Sequence, residues 1–101
     1  MPKKLHAQPH HADAVQDYLG QRPGLEHLRV RRRADLITLE SGPSSTPIKH
    51  ARLRRVGVHV WQLEMATHTG RWEPTPIRGQ QRELLDALVN TFGWTLQPIA
   101  G

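Results

Sequence analysis

Apolar residues along this chain recur at two different periods, and the alternation between them divides it into elements. From His10 to Leu19 the set Ala12, Val15, Tyr18 and Leu19 follows a 3.6-residue repeat. That spacing predicts a short helix, which Gly20 ends. From Gln80 to Phe92 the positions Leu84, Leu85, Leu88, Val89 and Phe92 mark a second helix face, with Gly93 as its stop. Between the two helices the pattern changes to a two-residue alternation. Leu28 to Arg32 and Leu36 to Glu40 read as strands of a hairpin turning at Arg33-Ala34-Asp35. Ile48 to Val56 and Val58 to Met65 read as two more strands with a bulge or turn at Gly57. Thr67-His68-Thr69-Gly70 then reverses the chain, so that Arg71-Trp72-Glu73 returns with Trp72 opposite Met65. Pro74 and Pro76 remove ladder donors, which predicts a short last strand at a sheet edge.

The remaining segments read as connections. Pro23-Gly24 is a turn signal, and the Ser41 to Pro47 stretch is a loop by its Gly, Pro and Ser content. Residues 1–10 are polar, contain two prolines and read as a flexible tail. Trp94 to Ile99 reads as an extended segment whose three apolar groups dock on the core. The order predicts an α+β fold in which an antiparallel sheet of four or five strands is flanked by an N-terminal and a C-terminal helix. At 101 residues the chain holds one modest core, so residues 11–101 form a single domain.

Side-chain alternation gives this fold a candidate chemistry. Arg29, Arg31 and Arg33 share one side of the first strand, while Leu28 and Val30 take the other. In the third strand Arg52 and Arg54 share a side opposite Ala51 and Leu53. If the helices cover the apolar side, these five arginines gather on the open one. The chain carries a net charge of +5, with 14 Lys and Arg against 9 Asp and Glu. Most of those cations are Arg, whose planar fork suits phosphate. Nucleic acid or another polyanion is therefore the expected ligand, bound through Arg29, Arg31, Arg33, Arg52 and Arg54. The competing expectation is that Glu40, Glu64 or Glu73 neutralise them across the strands.

Other chemistries find less support. The absence of cysteine excludes disulfides, thiolate nucleophiles and Cys-based metal sites, and it is compatible with a reducing cytoplasm. No apolar window is long enough to span a membrane, and the basic start lacks the apolar run of a signal peptide. Seven histidines are scattered without a metal-binding spacing, so neither metal nor cofactor is expected. The Ser41 to Thr46 loop has neither a nucleophile elbow nor a phosphate loop. A Glu64–Glu73 carboxylate pair is the one arrangement that suggests acid–base work, and no catalytic residue is assigned. Trp61, Trp72 and Trp94 read as core. Val58 and Val60 fall opposite Trp61, Leu63 and Met65, giving one strand two apolar faces. A homodimer or protein partner is the alternative reading of that strand.

The chain also shows Pro47-Ile48, then Trp61, then Arg71-Trp72-Glu73-Pro74 after the Leu28 to Glu40 hairpin. In these residues it resembles a small bacterial family known as domain of unknown function 3024, over about residues 12–90. The resemblance implies a leading helix, a hairpin and a strand entering a Trp-bearing hairpin. It implies no activity.

Overall fold

The computed structural model describes residues 5–25, 27–43, 45–67, 69 and 71–92. The elements run α1 (Pro9–Gly20), β1 (Arg29–Arg33), β2 (Leu36–Ser41), β3 (Ile48–Arg55), β4 (Trp61–Ala66), β5 (Trp72–Gly79) and α2 (Gln81–Phe92). The five strands form one antiparallel sheet in sequence order, each pairing with its neighbour in the chain.

Both helices lie on one face of this sheet, because only that face is apolar. Val15 and Leu19 of α1 and Leu84, Leu85 and Leu88 of α2 are buried. They form one cluster with Ile37, Leu39, Ala51, Leu53, Trp61 and Leu63 from the three central strands. Every member of this set alternates with a polar neighbour along its strand, so the uncovered face is left polar. The helices are tied to each other where they meet. Tyr18 donates its hydroxyl to Asp86 at 2.5 Å, and Gln81 donates to the His11 carbonyl at 3.0 Å.

The helix termini use local chemistry. Pro9 opens α1, where a missing N–H costs nothing. The Gln8 amide donates to Nδ1 of His11 at 2.9 Å, so a histidine takes the place that Glu or Gln fills in a capping box. Helix α1 includes Gly20 and closes on Gln21, while the reversal itself is made at Gly24 with φ +89°. At α2, Glu83 accepts the Gln80 amide at 3.1 Å.

The structure departs from the sequence expectation at several points. Pro9 belongs to α1, and Ala7, expected in a flexible tail, is buried in the core with its amide donating to Ala34 at 2.8 Å. Strand β4 begins at Trp61 instead of Val58, because the Val60 carbonyl accepts the amides of both Val56 and Gly57 and closes a tight loop. Strand β5 does lie at an edge, but it is eight residues long and accommodates its prolines at a bulge opposite Gln62 and Glu64. Trp72 pairs with Ala66, one residue away from the expected Met65. The Thr67 amide donates to the Arg71 carbonyl at 2.8 Å, which sets that register. The Gly93 stop and the Trp94 to Ile99 docking segment lie outside the described residues.

Candidate functional site

The uncovered face of the sheet is built by strand parity and two bulges. Strand β1 contributes Arg29, Arg31 and Arg33, which lie opposite Glu40, Thr38 and Leu36 of β2. These in turn lie opposite Lys49, Arg52 and Arg54 of β3. Arg52 and Arg54 lie opposite Glu64 and Gln62 of β4. The five arginines expected to converge do share this face. Lys49 joins them through a bulge: the register shifts between Leu39 and Glu40, so that His50 is the extra residue of β3. Were the strand to run through His50 without the bulge, Lys49 would share the side of Ala51 and point toward the helices.

Not all of this charge is available to a ligand. Glu64 is buried and accepts hydrogen bonds from Arg52 and from Arg54, the latter at 3.2 Å. Arg54 also donates to Asp35 in the β1–β2 turn at 3.0 Å. These carboxylates push the Arg54 pKa up, with the Glu64 hydrogen bond as the main cause. Arg29 pairs with the buried Glu40 at 3.6 Å and donates to the Gly42 carbonyl. The expected neutralisation by Glu40 and Glu64 is therefore present for Arg29, Arg52 and Arg54. Glu73 lies opposite Met65 and makes no ion pair among the described residues. Since Glu64 lies opposite Pro74, the two glutamates occupy opposite faces, and the Glu64–Glu73 pair considered for acid–base work does not form. Arg31, Arg33 and Lys49 are exposed and pair with no carboxylate among the described residues.

Trp72 also lies on this face. Its pairing with Ala66 gives it the parity of Glu64, and the Arg52 guanidinium sits 4.3 Å from its ring centroid. Trp72 is half-buried, not part of the core as the sequence suggested, whereas Trp61 is 2% exposed and is core. Arg31, Arg33, Thr38, Lys49, Arg52 and Trp72, together with Leu36 and Glu40, line a shallow depression of about 160 Å³. Sequence reasoning missed Lys49 and Trp72. The face of Trp72 follows from the Thr67–Arg71 hydrogen bond, which pairs Trp72 with Ala66.

A larger cleft of about 620 Å³ opens between α1, the β3–β4 loop and the start of α2. Its polar walls mix Asp17 with Arg22 and Arg82, and Arg22 is already committed to Asp86 at 3.4 Å and to the Tyr18 ring. Elsewhere, the buried Ser41 hydroxyl and His50 Nε2 lie 2.8 Å apart at the end of β2, where the sequence suggested only a loop. Among the described residues no group of three His, Asp or Glu is placed to hold a metal. No described helix is long and apolar enough to cross a membrane.

The strand expected to be apolar on both sides is not. Trp61 and Leu63 face the helices, while Gln62 and Glu64 face the open side, and Val58 and Val60 lie in the preceding loop. Comparison with protein-family models, curated proteins and solved structures finds no match to this chain, so its geometry carries the functional reading.

Proposed function

We propose that this chain is a binding module without catalytic activity, which holds nucleic acid or another polyanion on the uncovered face of its sheet. The observation that carries the reading is the cluster of Arg31, Arg33 and Lys49, exposed and without an ion pair among the described residues, on a face that neither α1 nor α2 covers. Arg29, Arg52 and Arg54 play a different part, because their carboxylate partners already hold them. Binding by such a surface releases counterions and weakens as salt is added. Gel-shift titration with DNA and RNA at two salt concentrations tests this. Alanine at Arg31, Arg33 or Lys49 should lower affinity additively, each flattening the salt slope by about 0.7–0.9. Alanine at Arg52 and Arg54 should not be additive, since both arginines share Glu64. No binding to either nucleic acid or to heparin at roughly 50 mM salt would overturn the reading.

One observation favours a second reading, the homodimer or protein partner. Val56, Val58 and Val60 are 40%, 58% and 41% exposed at the tip of the β3–β4 hairpin. Such a patch gains free energy when covered. Light scattering across a range of concentrations decides: a dimer lost in Val58→Ser would support this reading. A monomer throughout, with no protein recovered on the immobilised chain, would remove it.

A further inference from the structure

We infer that the polyanion is a single-stranded nucleic acid and that one of its bases stacks at the Arg52–Trp72 pair. This deepens the polyanion reading of the same face and rests on it. A purely electrostatic surface needs no aromatic ring, yet the register of β5 brings Trp72 out of the core and sets it among the cations. The guanidinium of Arg52 lies against the indole, and its Nε donates to the buried Glu64. Arg52 is thus fixed before any ligand arrives, and its ordering is not charged against binding. An arginine plane and an indole together are the surface on which an unpaired base stacks.

The surroundings fit a strand passing through. The depression beside the pair is about 160 Å³ and is lined by Arg31, Arg33 and Lys49, while the one carboxylate in its lining, Glu40, is already paired with Arg29. Arg31 and Arg33 are two residues apart on one strand, about 6.8 Å, so each can meet a different phosphate. Thr38 sits between Arg31 and Arg52 in the register and adds a hydroxyl. A duplex meets the same cations through its backbone, but its base faces are stacked on each other and cannot use the Trp72 platform. Heparin offers charge and no base. The three ligands therefore separate the contributions.

The experiment titrates the chain with a fluorescein-labelled single strand, the matching duplex and heparin, each at two salt concentrations. The single strand should bind tightest, and Trp72→Leu should weaken it by about 5- to 150-fold while changing heparin affinity less than about twofold. Trp72→Phe keeps a stacking face and should recover most of the loss. If none of the three ligands binds, the polyanion reading itself falls. If all bind alike, or the duplex binds best, or Trp72→Leu weakens all three equally, the polyanion reading stands and the stacking inference is overturned. Should Trp72→Leu fail to fold, the preference of the unaltered chain among the three ligands decides alone.

Discussion

Glu64 offers a substitution for which stability and binding should move in opposite directions. The side chain is 9% exposed and accepts from two arginines whose own side chains are 16% and 32% exposed. Removing one member of a fully buried ion pair costs about 3–5 kcal/mol. Here the cost is smaller, because both guanidiniums reach water and Arg54 keeps Asp35. Glu64→Gln also retains one oxygen that Arg52 can use, so the loss should be about 2 kcal/mol, or about 10 °C in melting temperature. The same change leaves one more positive charge on the open face. Polyanion affinity should then rise at low salt, and the slope of log K against log salt should steepen by about 0.7–0.9. Between about 50 and 200 mM salt, that difference makes the loss of affinity roughly threefold greater than in the parent chain. Urea unfolding and fluorescence anisotropy on the same preparation measure both quantities. If Glu64→Gln is destabilised yet folded at the assay temperature, and binds no tighter than the parent at low salt, then the charge of this face does not govern binding.

Three further outcomes test the physical account of the fold. Burial lowers the His11 pKa from 6.5, with His10 and Arg55 adding to the effect, so the folded chain holds that proton less tightly than the unfolded one. Stability from this group is level above about pH 6.5 and declines as pH falls below it. His11→Gln keeps the cap and should flatten that part of a melting-temperature profile. Tyr18→Phe deletes the hydroxyl that bridges α1 to α2 through Asp86 and should cost about 1 kcal/mol in chemical denaturation. Gly42 sits at φ +79°, so Gly42→Ala should cost about 1–2 kcal/mol; an unchanged denaturation midpoint would show that the loop adapts.

The architecture was legible because helix and strand periods are separated by clear turn residues. Both helices and all five strands could be placed, and strict alternation put Arg31, Arg33, Arg52 and Arg54 on one face. Parity arguments failed where the alternation is interrupted. His50 is an ordinary residue in a strand-like run, and nothing beside it announces a bulge, yet it turns Lys49 over. A loop taken one residue differently sent Trp72 to the core side in the sequence reading. The β4 start was misplaced for a related reason: Val58 and Val60 suit a strand by composition, but the turn hydrogen bonds at Val60 take the backbone out of the ladder. Side-chain pairing was open to argument only as an alternative. That Glu64 would take two arginines, with Asp35 reaching Arg54 from a turn, depends on where buried carboxylates end up.

Among the described residues the meander does not close, so β1 and β5 are its two rims, and each invites another chain to extend the ladder. At β1 the sequence Arg29-Val30-Arg31-Arg32-Arg33 presents a like-charged border to any second copy. At β5, Pro74 and Pro76 withhold donors along the opposite border. Repulsion on one side and missing amides on the other discourage end-to-end polymerisation of the sheet. The arginines of β1 therefore serve colloidal solubility even when no ligand is present.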